Sequence, residues 1–156
     1  AKLPKLKVLE LKGNDLKNIN ALKGLSELTT LDLRYNNIEE ITPLSNLKKL
    51  SKLNLKGNNI SDASDLTKLT NLTHLDLNRN CIKDISFLTN LKKLKELSLK
   101  DNQITNIDVL TELNNLEIVE LNNNNLDLSK RSKALDIIMD LEDAGVEVYY
   151  HPTWLN

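Results

Sequence analysis

His74 and Asp76 lie two residues apart, and Ser98 follows at the same offset in a similar stretch. These are the residue types of a proton relay, in which a carboxylate orients an imidazole that deprotonates a hydroxyl. Their surroundings, His74-Leu75-Asp76-Leu77 and Glu96-Leu97-Ser98-Leu99, alternate strictly and so read as short strands. A hydrolytic site needs its nucleophile on a shaped turn and donors aimed at the developing oxyanion. A flat strand face supplies neither, so no catalysis is expected. Cys81, directly after Asn80, reads as a small side chain in a tight turn rather than a reactive thiol. Gly13, Gly24, Gly57 and Gly145 are isolated and form no phosphate-binding loop. The acidic residues lack calcium-loop spacing. One cysteine and two distant histidines, His74 and His151, leave no zinc set. Neither a cofactor nor a metal is expected.

The bulk composition narrows the field further. At 156 residues the chain is about one domain. Lys plus Arg is 21 against 22 Asp plus Glu, which leaves no basic field to hold a nucleic acid. Apolar residues make up 40% but aromatics only 3%, so any core is aliphatic. No apolar run is long enough to span a bilayer, so no membrane insertion is expected. The first residues contain no apolar signal-peptide region. The short basic runs at Lys48-Lys49 and Lys92-Lys93 read as solvated surface.

What positions these residues is an internal repeat. Leucine recurs every 22 residues at Leu6, Leu28, Leu50, Leu72, Leu94 and Leu116, and each opens one rung. Counting from that leucine, position 6 is Leu11, Leu33, Leu55, Leu77, Leu99 and Leu121. Position 9 is Asn14, Asn36, Asn58, Asn80, Asn102 and Asn124. The pattern LxxLxLxxN in this register resembles the leucine-rich repeat family, in the short class found in internalins and protein-phosphatase regulatory subunits. The resemblance covers about residues 3 to 128, and the segment from Ser129 onward is similar to a bacterial C-terminal cap. It implies an α/β fold. The expected form is a right-handed leucine-rich repeat solenoid with parallel strands on the concave face and 3-10 or short helical turns on the convex face. A capping helix and strand are expected at the C-terminus. The domain division that follows is 1–128 for six repeats and 129–156 for cap and tail.

The residues argue the same architecture independently. Positions 3 to 7 alternate, as in Val8-Leu9-Glu10-Leu11-Lys12, which puts leucine on one strand face. Each position-9 amide can donate to and accept from the backbone of neighbouring turns, so the six asparagines are expected to form a structural ladder. On the return side, Leu22, Leu25 and Leu28 are spaced by three, as are Leu44, Leu47 and Leu50. Residues i and i+3 eclipse in a 3-10 helix. Position 15, which reads Asn20, Thr42, Ser64, Ser86 and Asp108, is expected to cap each turn. Such narrow turns beside strands imply a gently curved coil. An apolar stripe of Ala134, Leu135, Ile138, Leu141 and Ala144 predicts a helix, with Ser129 or Ser132 at its start and Gly145 at its end. Val146 to Tyr150 then reads as one more strand.

Function is expected on the strand face, where positions 3, 5, 7 and 8 point outward. Position 5 is acidic in four of six rungs and position 7 basic in four of six. Mutual pairing of solvated charges and a charged recognition surface both fit this. Tyr and Arg favour interface hot spots. On this face they occur only as Arg34, Tyr35 and Arg79, and with Asp32, His74 and Asp76 they cluster on rungs two to four. These six are the candidate partner-binding residues. The expected partner is another protein, bound without catalysis. The competing expectation is a structural spacer or engineered scaffold, which should repeat its face identically. Positions 3 and 8 instead differ at almost every rung.

The ends differ from each other. Ala1, Lys2 and Leu3 fall late in a repeat that is otherwise missing, so the chain is expected to begin partway through one. Lys2, Pro4, Lys5 and Lys7 discourage edge pairing. The layer of Leu9, Leu11 and Leu16 is expected to be partly open, which makes self-association at that edge an expectation. Trp154 is expected to fold back on the cap. The family resemblance, together with Lys far exceeding Arg, implies a bacterial surface or secreted protein.

Overall fold

The computed structural model describes residues 5–151. Ala1, Lys2, Leu3, Pro4 and Trp154 lie outside the described residues. Alternation at positions 3 to 5 becomes one short strand per rung. These are β1 (Val8–Glu10), β2 (Thr30–Asp32), β3 (Lys52–Asn54), β4 (His74–Asp76), β5 (Glu96–Ser98) and β6 (Ile118–Glu120). Helix α1 (Lys133–Asp143) and strand β7 (Glu147–Tyr149) follow. All seven strands form one parallel sheet in chain order. Equal repeat length sets the register, so Leu9, Leu31, Leu53, Leu75, Leu97, Val119 and Val148 stand in single file. The ladder runs past the strands. The position-8 N–H donates to the next rung's position-7 carbonyl, as from Tyr35 to Lys56 at 2.7 Å and from Arg79 to Lys100 at 2.8 Å.

Leucines and isoleucines fill the interior. In the third rung Leu50, Leu53, Leu55, Ile60, Leu66 and Leu69 are buried, and the other inner rungs match it. Each such side chain stabilises by about 1.5–3 kcal/mol on burial, so this file of aliphatics is the main favourable term. In the first rung Leu6, Leu9, Leu11 and Leu16 are only partly buried. On the return side, among the described residues, five 3-10 turns occur, at Asn20–Gly24, Thr42–Leu44, Ser64–Lys68, Ser86–Asn90 and Asp108–Glu112. The leucines spaced by three carry their hydrogen bonds. The N–H of Leu22 donates to Ile19, that of Leu25 to Leu22 and that of Leu28 to Leu25, at 3.0, 3.0 and 3.1 Å.

The capping expectation at position 15 is corrected. Asn20, Thr42, Ser64, Ser86 and Asp108 are the first residues of the turns, and no side chain caps from the residue before them. The cap comes from position 13. The side-chain oxygens of Asn18, Asp62, Asp84 and Asn106 accept the N–H two residues on, at 2.8, 2.8, 2.8 and 2.7 Å. These are local side-chain turns, and that backbone donor holds the Asp62 carboxyl below its ordinary range. The second rung has Glu40 at this position, and there Pro43 presets the turn instead.

The position-9 asparagines hydrogen-bond in both directions. Asn80 donates to the carbonyls of Leu55 and Leu77, both at 3.1 Å, while its oxygen accepts the Ile60 N–H at 3.0 Å. Asn36, Asn58, Asn102 and Asn124 repeat the arrangement one rung apart. Asn14, at the exposed end, has its side-chain amide donate to Leu11 and Lys12 of its own rung, while its N–H donates to Asn36 at 2.9 Å. A second ladder was not read from the sequence. The hydroxyls of Thr29, Ser51 and Thr73 each donate to the equivalent carbonyl one rung back, at 3.1, 3.2 and 3.0 Å.

At the C-terminus Ser132 caps α1, accepting the Leu135 N–H at 3.2 Å. The stripe is also corrected. Ala134, Ile137, Ile138 and Leu141 are buried, Leu135 is half-buried and Ala144 is exposed. Ala144 is the last cap residue, and Gly145 turns the chain away at φ 90°. The N–H groups of Val146 and Gly145 return to the carbonyls of Leu141 and Glu142, both at 2.9 Å, which closes the helix end. β7 then continues the sheet.

Candidate functional site

The parallel register gathers positions 3 and 5 into two continuous columns. Position 5 runs Glu10, Asp32, Asn54, Asp76, Ser98, Glu120 and then Tyr149. Between Glu10 and Ser98 the two columns line a shallow depression of about 330 Å³ that includes Asp32, His74, Asp76, Lys52 and Glu96. The six candidate residues separate here. Asp32, His74 and Asp76 line the depression, whereas Arg34, Tyr35 and Arg79 stand along its edge at positions 7 and 8.

The charges engage one another unevenly. Arg34 Nε lies 2.8 Å from Asp32 Oδ2, and Asp32 also accepts the Arg34 N–H at 3.1 Å. Among the described residues this is the one ion pair joining positions 5 and 7. His74 turns along its own column, with Nε2 at 3.4 Å from Glu96 and Nδ1 at 2.8 Å from the Thr73 hydroxyl. No hydrogen bond among the described residues links His74 to Asp76 or Ser98, so no relay is assembled. Arg79 pairs with Asp101 at 3.4 Å. Burial pushes the Asp76 carboxyl above its ordinary value, opposed by the Asn78 N–H it accepts at 3.0 Å and by nearby Lys56, and reinforced by Glu120.

Position 8 has left-handed backbone in every rung. Gly13 and Gly57 accept this readily, but Tyr35, Arg79, Asp101 and Asn123 also sit at φ 55° to 57°. Such a conformation costs an L residue roughly 1–2 kcal/mol. The Tyr35 ring lies against Gly57, where an added Cβ would fall 2.6 Å from Cδ1. The ammonium groups of Lys12 and Lys56 stand 5.6 and 6.0 Å from its centroid. The ring is held flat yet 41% exposed.

Two residues of this face escaped the sequence reading. Tyr149 was not counted on the face, and the expectation that Arg34, Tyr35 and Arg79 are its only Tyr or Arg residues is corrected. Register with Glu120 puts Tyr149 in column 5, where it is exposed and donates to Glu147. The alternation Glu147-Val148-Tyr149 carried that signal. Asn78 is buried, and it donates to Glu120 two rungs away at 2.8 Å and accepts the Lys100 N–H at 2.6 Å. Nothing in its sequence position distinguishes it from a solvated asparagine. Cys81 is exposed, and its N–H donates to the Ile60 carbonyl at 2.8 Å. Among the described residues no group of three His, Cys, Asp or Glu could hold a metal ion, and no helix is long and apolar enough to cross a membrane.

A coil of this kind, with one in-register strand and one 3-10 turn per 22 residues, defines a repeat solenoid. Models of leucine-rich repeats taken two at a time match residues 4–46, 26–68 and 48–90, and a single-repeat model matches 90–111. The chain belongs to the leucine-rich repeat family. A search of the curated proteins finds no match. Among solved structures, an internalin C2 from Listeria monocytogenes is similar at 37% identity and a TM-score of 0.82, over 95% of this chain and 62% of that one. An internalin (inlF) from the same organism is 27% identical with a TM-score of 0.67, over 94% of this chain and 47% of that one. The leucine-rich repeat domain of APL1B is 25% identical with a TM-score of 0.71, over 78% of this chain and 39% of that one. This chain therefore spans less than two thirds of each. It is an internalin-like member of the family.

Proposed function

We propose that the chain is a non-catalytic protein-recognition module of a larger bacterial protein, one displayed at the surface or secreted, and that it binds its partner on the strand face. Leucine-rich repeat domains in general bind other proteins. The observation that carries the assignment to this face is the pair Tyr35 and Arg79. Both occupy left-handed backbone where Gly13 and Gly57 show that glycine serves, and strain held at exposed residues is a pointer to function. Residues with interface-favoured chemistry are thus kept where the coil alone gains little from them. Asp32, Arg34, His74 and Asp76 complete the proposed contact set. A spacer would have no reason to vary this face from rung to rung.

Immobilised chain tests this against extracts of candidate host or bacterial cells. A protein retained by wild type and by the turn-side variant Lys68→Ala should be lost with Arg34→Ala/Tyr35→Ala. Equal retention by the strand-face variant would move the site elsewhere. No retained protein with any variant would favour the spacer.

A further inference from the structure

The edge of the strand face carries a two-rung period inside the 22-residue repeat. Positions 7 and 8 read Lys12-Gly13, Lys56-Gly57 and Lys100-Asp101 in odd rungs. In even rungs they read Arg34-Tyr35, Asn78-Arg79 and Asn122-Asn123. Position 5 alternates in the opposite phase from the second rung on, with Asp32, Asp76 and Glu120 in even rungs and Asn54 and Ser98 in odd ones, while Glu10 in the first rung breaks the pattern. Beyond the first rung, where Glu10 and Lys12 stand together, acids and lysines form a checkerboard, and the two colours are not equally available. Asp32 is held by Arg34, Glu120 accepts from Asn78, and Asp76 accepts from the Asn78 backbone. Lys12, Lys56 and Lys100 make no ion pair among the described residues. Lys12 and Lys56 stand about the Tyr35 ring, and Lys56 is near enough to Asp76 to favour its charged form without pairing with it. The cations of this edge that make no ion pair among the described residues are therefore a row of three, with Glu10 beside the first.

We propose that this row is the docking track for an extended acidic segment of the partner protein, with carboxylates at every third residue. The claim rests on the strand-face reading above and names the partner's chemistry. Strands stack about 4.8 Å apart, so lysines on alternate rungs repeat about every 9.6 Å. A polyproline-type chain rises about 3.1 Å per residue and returns its side chains to one side every third residue, about 9.3 Å. Three successive acidic residues of such a chain meet Lys12, Lys56 and Lys100 in turn. The backbone between the first two passes over Tyr35, whose ring gives it an apolar bearing.

The test uses the chain as it stands and synthetic peptides in fluorescence anisotropy. The probe is four repeats of Glu-Pro-Pro. Its controls are a composition-matched peptide with the four glutamates in one block and four repeats of Lys-Pro-Pro. The spaced acidic peptide is expected to bind at least about five-fold more tightly than the block. Its affinity should fall as salt is raised. Lys12→Gln, Lys56→Gln and Lys100→Gln are each expected to weaken it about three-fold, within the range of exposed ion pairs. Lys52→Gln, in the neighbouring position-3 column, should change it less than two-fold. Equal binding of spaced and blocked peptides, tighter binding of the lysine peptide, an unaffected triple variant, or no binding at millimolar peptide would each overturn the proposal. The capture experiment remains separate. Capture lost with Arg34→Ala/Tyr35→Ala while peptides fail to bind would leave the strand-face reading standing without the acidic track.

Discussion

The asparagine edge and the strand face both repeat every 22 residues, yet one is uniform and the other varied. Asn36, Asn58, Asn80 and Asn102 are buried, and each satisfies two carbonyls and at least one N–H that the coil strands in its tight turn. No other side chain offers both a donor and an acceptor at that reach, so the coil itself dictates the residue. The demand at positions 3, 5, 7 and 8 is looser, since the strands pair backbone to backbone and the position-7 N–H groups that position 5 accepts are met by Asp32, Asn54 and Asp76 alike. Uniformity thus marks where the backbone depends on a side chain. Variation marks where the protein is free to be shaped by something outside it.

The largest expected effect lies on the uniform side. Asn80→Leu leaves the Leu55 and Leu77 carbonyls and the Ile60 N–H without that partner. At about 1–3 kcal/mol for an unsatisfied buried group, a loss on the order of 3 kcal/mol is expected in urea unfolding. Asn14→Leu at the exposed first rung should cost well under that. Equal costs would show that the ladder does not act through burial.

Next comes the seam between the regions. Gly57→Ala forces a Cβ into the Tyr35 ring at φ +68°, whereas Gly13→Ala at φ +66° meets open space. Both carry the strain of about 1–2 kcal/mol, and Gly57→Ala should cost about 1 kcal/mol more. In a Tyr35→Ala background that excess should vanish, which a double-mutant cycle measures. If it persists, the ring is not what occupies the space.

Arg79→Gly is expected to leave thermal stability unchanged or raise it by up to about 1 kcal/mol. It relieves a left-handed arginine and gives up an exposed ion pair of little worth. A marked destabilisation would show that the coil does need Arg79.

The smallest effects are pH-dependent and opposite in sign. Burial raises the folded pKa of Asp76 above 3.8. Its contribution is therefore present below the unfolded value and lost as pH rises through the folded one. Asp76→Asn should match wild type in strong acid and gain on it toward neutrality. Asp62, held down by the Ser64 N–H, has a lowered pKa. Its stabilisation is present above 3.8 and lost as pH falls through the folded value, so Asp62→Asn should lose on wild type at neutral pH and converge in acid. Stability curves of the two variants crossing wild type in the same sense would contradict this.

The repeat frame, the 3-10 turns and the capping helix were legible because each rests on periodicity, which a sequence displays directly. The turn caps were placed two residues late, since Asn18, Asp62, Asp84 and Asn106 and the residues at position 15 are the same polar types, and only backbone angles tell a local turn from a helix cap. Asn78 was illegible because its hydrogen-bond partner Glu120 lies 42 residues away. Tyr149 was missed because its place in column 5 depends on β7 pairing with β6 in register, across the intervening helix. Asp32, Arg34, Tyr35, His74, Asp76 and Arg79 could be placed on one face from the repeat. Their division into a floor and an edge needed the coordinates.

The division of labour is tested most directly by comparing urea midpoints of Asn80→Leu and of the combined variant Asp32→Ser/Arg34→Ser/His74→Ser/Asp76→Ser. One ladder substitution is expected to lower the midpoint more than four face substitutions together. A combined variant as unstable as Asn80→Leu, or more so, would show that the coil depends on the strand face as much as on the asparagines.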